Sequence, residues 1–219
     1  MAEQIPFGTD DFAENPEPRV PCILLLDTSG SMAGTKTDEL RRGLEIYKNE
    51  LASDAMTSKR VEISVITFGG KIDISDWATA DIFTLPELKP DGATPMGEAI
   101  TKALDLLKQR KSTYRANGVL YYRPWIFLIT DGEPTDQWSN AAQLIKAGEK
   151  KKEFSFFTVG VEGANMDKLK DLSVREPLKL KGLQFSELFL WLSSSQQSVS
   201  RSQPGDEVLL ASPAGWAAI

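Results

Sequence analysis

The sequence predicts an α/β protein with a doubly wound, mostly parallel central sheet, one antiparallel edge strand and helices on both faces. Three observations carry that expectation. Ile23-Leu24-Leu25-Leu26 and Trp125-Ile126-Phe127-Leu128-Ile129 are continuous apolar runs, the signature of strands buried on both faces of a parallel sheet. Each run leads into a carboxylate, Asp27 or Asp131, and stretches with helical apolar spacing separate the strand-like segments. The Gly69-Gly70 turn is too tight for a crossover helix, so the strands on either side of it pair antiparallel, with the second on the sheet edge.

The elements follow in order. Residues 1–19 mix acidic side chains with Pro6, Pro16 and Pro18 and show no apolar period, so they read as an extended arm. Residues 20–26 form the first strand. Thr35-Lys36-Thr37-Asp38-Glu39 offers cap chemistry for a helix whose inward positions include Leu40, Leu44, Tyr47 and Leu51. Residues 61–68 are the second strand and residues 72–74 the short third. The helix after Thr94 carries Ala99, Ile100, Ala103, Leu104 and Leu107 at helical spacing, with Pro95 in its first turn. Residues 109–123 are polar and basic, longer than an ordinary connection, and end in Tyr121-Tyr122-Arg123-Pro124. They read as a loop, with the tyrosines offered to a partner or packed beneath it. Residues 125–130 form the fourth strand, followed by a helix over 137–152 with Ala141, Leu144, Ile145 and Gly148 inward. A fifth strand over 154–161, a short helix over 166–173, a brief strand over 178–180 and a helix over 186–198 complete a domain spanning 20–200. The tail, 201–219, is apolar enough to dock, at a place the sequence does not give.

In such a sheet, ligands gather beyond the carboxyl ends of the strands. Asp27-Thr28-Ser29-Gly30-Ser31 puts one carboxylate and two hydroxyls on the turn after the first strand. Asp131 ends the fourth strand, and Thr94 stands on a third loop of the same rim. These are hard oxygen donors, suited to Mg²⁺, Mn²⁺ or Ca²⁺ rather than to metals that favour thiolate or imidazole.

The chain resembles the von Willebrand factor A domains that carry a metal-ion-dependent adhesion site. The family's Asp-x-Ser-x-Ser matches Asp27, Ser29 and Ser31, its threonine matches Thr94, and its later aspartate matches Asp131. The resemblance implies that the hydroxyls of Ser29, Ser31 and Thr94 bind a divalent cation, Mg²⁺ first, while Asp27 and Asp131 hold it mainly through waters. It also implies that a partner's Asp or Glu carboxylate completes the shell. The phrases Tyr121-Tyr122-Arg123-Pro124-Trp125, Leu128-Ile129-Thr130-Asp131-Gly132-Glu133-Pro134-Thr135-Asp136 and Val159-Gly160-Val161-Glu162-Gly163-Ala164-Asn165-Met166 further resemble the TerY-type bacterial proteins linked with tellurite resistance. That implies a non-catalytic cytoplasmic adaptor working with a serine/threonine kinase and a PP2C-like phosphatase. Thr35, Thr37, Ser112 and Thr113 are the hydroxyls expected on exposed loops as phosphate acceptors, and Met32, Pro95, Met96 and Pro134 are expected to surround the metal as a contact surface.

Composition removes other functions. The chain has no histidine, so histidine-based nucleophilic sites, zinc sites and general bases are impossible. A net charge of −6 with a pI near 4.9 opposes nucleic-acid binding. The single cysteine, Cys22, forms no internal disulfide and reads as a small core residue. The start Met1-Ala2-Glu3-Gln4 lacks a signal pattern and no segment reaches membrane-span length, giving the expectation of a cytoplasmic protein with no membrane partner. The competing function is Mg²⁺-dependent phosphoryl transfer with Asp27 as nucleophile. It wants a second aspartate where Ser29 stands, and a lysine at another strand end that Val159-Gly160-Val161 does not supply.

Overall fold

The computed structural model describes residues 12 and 14–218. Five strands run parallel: β1 (Val20–Thr28), β2 (Val61–Gly69), β5 (Trp125–Thr130), β6 (Ser155–Gly160) and β7 (Leu178–Leu180). Three short strands run antiparallel, β3 (Ile72–Ile74) and β4 (Ala78–Thr79) against β2, and β8 (Ala217–Ala218) against β7. The order across the sheet is β3-β2-β1-β5-β6-β7-β8. The fold class is the one the sequence predicts, with antiparallel strands at both edges rather than one.

Why β1 is continuously apolar is visible in its two faces. Cys22, Leu24 and Leu26 enter one core with Leu40, Leu44, Tyr47 and Leu51 of α1 (Thr35–Ser53) and Phe185, Phe189 and Leu192 of α6 (Phe185–Ser200). Ile23 and Leu25 enter the other, with Met96, Ile100, Ala103 and Leu107 of α3 (Met96–Ala116) and Ile145 of α4 (Ser139–Lys150). Side chains alternate across a strand, so a strand covered on both sides needs apolar residues at every position. Helices α1 and α6 touch at Gly43, where a Cβ would stand 2.6 Å from Phe189 Cδ2. Cys22 is fully buried in this core beside Tyr47 and Gln196, and burial pushes its thiol up to about 12, so it is inert. Two short helices, α2 (Thr57–Arg60) and α5 (Met166–Leu172), fill the remaining connections.

Several local expectations change. The α1 N-cap is Gly34, with no side-chain cap; Thr37 instead donates to Met32 O at 2.6 Å from a buried position. The loop expected over 109–123 is helix as far as Ala116, because Tyr114 continues the buried face of α3 past its polar stretch. Both tyrosines beyond it pack inward, Tyr121 against the ring of Tyr114 and Tyr122 buried with its hydroxyl on Ser202 O, so they are not a partner-binding pair. Ser112 and Thr113 are therefore helical rather than on a loop, and Thr37 is not exposed. Leu144, expected inward, is 43 % exposed, since Ala141 and Ile145 already fill that face.

The tail finds its place at the far edge. Trp216 is buried against Trp191, Trp191 Nε1 donates to Ala211 O at 2.8 Å, and β8 pairs with β7. Residues 1–11 and 13, most of the expected arm, lie outside the described residues; Phe12 packs edge-on to Tyr114. Among the described residues no helix is long and apolar enough to cross a membrane.

Candidate metal centre

The chain leaves β1, forms β2 on one side of it, and returns through α3 to place β5 on the other. Adjacent connections diverge there, opening a crevice at the strands' carboxyl ends. The register Leu26↔Ile129 sets Asp27 beside Thr130, and Asp131 follows one residue later.

Asp27 is fully buried and held at both oxygens. Its Oδ1 accepts from Ser29 N at 2.8 Å and its Oδ2 from Thr130 Oγ1 at 2.5 Å, while Thr130 Oγ1 accepts from Gly132 N at 3.1 Å. Burial raises its pKa, the Ser29 and Thr130 hydrogen bonds pull it back, and the charge of Asp131 raises it again. Ser29 Oγ and Ser31 Oγ lie 3.0 Å apart, and Ser31 Oγ donates to Asp131 Oδ1 at 2.7 Å. The second oxygen of Asp131 accepts from Lys36 Nζ at 2.5 Å.

Thr94 comes from the loop before α3. A Cβ at Gly132 would stand 3.3 Å from Thr94 Oγ1 and 3.7 Å from Asp27 Oδ2, so the threonine hydroxyl and the aspartate face the same small residue. Hydrogen bonds weld the loops together: Gly30 N donates to Gly92 O at 3.1 Å, Thr94 N donates to the Thr135 hydroxyl at 3.1 Å, and Thr135 N donates to Thr94 O at 3.0 Å. Gly92 adopts φ +68°, and a Cβ there would strike Gly70 Cα at 2.5 Å, which is why glycine stands at this crossing. All five residues singled out in the sequence thus gather at one rim, from three loops.

Sequence reasoning missed four neighbours. Thr130 orients Asp27. Lys36 pairs with Asp131. Asp136 accepts from Gly97 N at 2.9 Å and Glu98 N at 2.7 Å, capping α3 from another loop. Asn165 caps α5 through Lys168 N at 3.1 Å and donates to Glu133 Oε1 at 2.6 Å, fastening the β6–α5 loop to the β5–α4 loop. Only Lys36 left a local signal, a cation in the first turn of a helix, where the macrodipole disfavours it. The contact surface expected around the site is also corrected: Met32 and Met96 are fully buried, one in each core, because each helical start turns its methionine down onto the sheet.

The donor set fits a hard cation. It comprises two carboxylates and three hydroxyls without nitrogen or sulfur donors, and an ammonium already rests on Asp131 where positive charge is favoured. Among the described residues no three His, Cys, Asp or Glu side chains cluster as a metal cage.

Similarity to known proteins agrees with this architecture. The von Willebrand factor type A domain family model matches residues 22–180. Inter-alpha-trypsin inhibitor heavy chain H4 from Sus scrofa is 28% identical over 133 residues, covering 57% of this chain and only 13% of that protein. Among solved structures, the pilus adhesin SpaC from Lactobacillus rhamnosus GG superposes with a TM-score of 0.64 at 12% identity, covering 84% of this chain and 30% of that one. The ArnB paralog VWA2 from Sulfolobus acidocaldarius gives 0.56 at 19% identity, covering 81% and 45%. With its sheet order, its switch-point crevice and a family match over most of its length, the chain belongs to the von Willebrand factor type A domain family.

Proposed function

We propose that this domain is a non-catalytic, metal-dependent protein-binding module. Ser29, Ser31 and Thr94 would hold a divalent cation, Mg²⁺ ahead of Mn²⁺ or Ca²⁺, with Asp27 and Asp131 behind them. When bound, the cation supplies an electrophilic centre that attracts a carboxylate from a partner's Asp or Glu. The observation that carries this is the convergence of neutral hydroxyls from separate loops on two fixed carboxylates: the acidic groups are few and already engaged, so they would not saturate a cation's charge. Asp27 keeps its shape through Ser29 and Thr130, and Asp136 and Thr135 keep the Thr94 loop against the Asp131 loop.

The competing use of Asp27 as a phosphoryl-accepting nucleophile loses support from the same geometry. Its carboxylate is fully buried and turned onto Ser29 N and Thr130 Oγ1, away from the solvent from which a phosphoryl donor would approach. Isothermal titration of Mn²⁺ and Mg²⁺ into the wild type and Asp27→Ala tests the site: the wild type should bind and the variant should not, with circular dichroism native in both. Pull-down from native lysate with and without chelator tests the partner.

The TerY-type resemblance supports a cytoplasmic setting, a tellurite-linked stress role, and a serine/threonine kinase with a PP2C-like phosphatase as companions. Of the four hydroxyls considered, Thr35 is the exposed one beside the rim, at the first position of α1. Phosphopeptide mapping after incubation with the kinase should find it modified, and a map empty of phosphoserine and phosphothreonine would remove this part of the proposal.

A further inference from the structure

Lys36 is in an unfavourable place for a lysine. It is the second residue of α1, where the exposed N–H groups of the first turn give the helix its positive end, and a cation there is destabilising. It is nevertheless folded inward, with its side chain 24 % exposed and its ammonium 2.5 Å from a carboxylate that is 1 % exposed. Ser31 O lies 3.4 Å from the same nitrogen, and a Cβ on Gly163 would stand 3.9 Å from it. Three loops therefore frame the ammonium: the one before α1, the one after β5 and the one after β6. The two oxygens of Asp131 are divided between neighbours. Oδ1 takes the Ser31 hydroxyl and Oδ2 takes Lys36, so the lysine can stay on its oxygen while the other faces the hydroxyl rim.

We propose that Lys36 is a tethered counter-charge of the metal centre, holding the rim together before a cation arrives and limiting how tightly the cation is then held. The inference rests on the metal-binding proposal above. Asp27 and Asp131 supply two negative charges to the cluster and Lys36 returns one, leaving a single net negative charge to attract a divalent ion. A bound divalent ion then leaves the cluster with one positive charge, available to an anionic partner. Without the lysine, the same arithmetic gives a cluster of two negative charges that binds the ion more strongly and ends neutral. Lys36 thus trades cation affinity for attraction of the partner. Coulombic attraction falls only as the inverse of distance inside a partly buried cluster, so an ammonium that never touches the ion still acts on it.

The test is isothermal titration of Mn²⁺ alone into the wild type, Lys36→Met, Lys36→Arg and Asp27→Ala, paired with thermal melts in chelator and in saturating Mn²⁺. Lys36→Met keeps the aliphatic stem and removes the charge. It should bind Mn²⁺ about tenfold or more tightly, while Lys36→Arg stays within about threefold of the wild type. In chelator Lys36→Met should melt below the wild type, because two carboxylates face each other uncompensated, and saturating Mn²⁺ should close that gap. Equal or weaker Mn²⁺ binding by Lys36→Met, with wild-type binding intact and lost in Asp27→Ala, overturns the role of Lys36 and leaves the metal centre standing. Absence of Mn²⁺ heat from both wild type and Lys36→Met overturns the metal centre itself.

Discussion

Two buried carboxylates at opposite ends of the sheet show what separates a structural ion network from the rim proposed to bind a cation. Glu62, near the start of β2, is closed on all sides. Arg110 reaches both of its oxygens, with Nε 3.0 Å from Oε2, the Tyr114 hydroxyl donates to Oε2, and Arg19 Nε lies 4.0 Å from Oε1. Phe12 covers both guanidinium groups, 5.4 Å from Arg19 and 4.9 Å from Arg110. Burial, then the charge of Glu62, pushes the Tyr114 phenol well above its ordinary value, so it remains a donor. Asp131, at the other end, has one ammonium and one hydroxyl, and that hydroxyl belongs to an exposed serine whose oxygen still has lone pairs to give. Around Glu62 every neighbour is a donor, and the charge is spent. Around Asp131 and Asp27 two of the four donors are hydroxyls, Ser31 and Thr130, whose oxygens keep lone pairs, and only one full positive charge, Lys36, stands against the two carboxylates.

The comparison breaks hardest at Glu62. Glu62→Gln leaves the buried Arg19 and the partly buried Arg110 facing an amide, which should destabilise the fold by about 3 kcal/mol in urea denaturation, with no change in the response to Mg²⁺ or Mn²⁺. A loss under about 1 kcal/mol would show that the network is not closed. At the rim the expectation reverses. Asp27→Ala should leave the metal-free protein folded but remove the stabilisation the wild type gains from the ion, about 2.7 kcal/mol at a free ion concentration about a hundred times Kd, read as a lost shift in Tm. A partner-side Asp→Asn or Glu→Gln change at the docking position should weaken binding by about 1.5–3 kcal/mol, and chelator should add nothing to that loss.

A third carboxylate gives the smallest effect and a pH signature. Asp54 accepts from the Thr57 hydroxyl at 2.5 Å, from Thr57 N at 2.8 Å and from Arg201 at 2.8 Å, which lower its pKa to about 2. A carboxylate depressed in the folded state contributes stability that is present above its unfolded value near 4 and is lost as the pH falls through about 2. The site is open to solvent, so Asp54→Asn should remove about 1 kcal/mol at pH 7 and clearly less near pH 2. Equal losses at both pH values would assign the effect to geometry instead of charge.

How much of this was legible in the sequence follows from the range of each interaction. Buried parallel strands print their environment on every residue, so β1 and β5 are visible as apolar runs, and the carboxylates behind them mark the crevice. The gathering of Asp27, Ser29, Ser31, Thr94 and Asp131 follows once the strand order is known. Hydrogen bonds between Thr130 and Asp27, or between Asp136 and the α3 amides, join residues far apart in the chain and leave no local pattern, and Lys36 is marked only as a cation in the first turn of a helix, with nothing to name Asp131 as its partner. Two errors have a common cause. Closeness to the proposed ligands places Met32 and Met96 at the surface, and polarity places residues 109–116 in a loop. In each case the direction a side chain takes from a helix outweighed its position along the chain. The Glu62 network was invisible for a related reason: within an alternating strand a glutamate reads as a solvent-facing position.

The tail against β7 has a consequence of another kind. A sheet that ended at β7 would present a row of open N–H and C=O groups to any other extended chain, a template for edge-to-edge aggregation. Here β8 covers that edge with two residues, and Trp216 is packed behind it. β3 and β4 do the same for β2 at the opposite edge. With both margins finished by short strands from the chain itself, strand addition offers another chain little purchase, which agrees with the proposal that a partner docks at the loops beyond the strands.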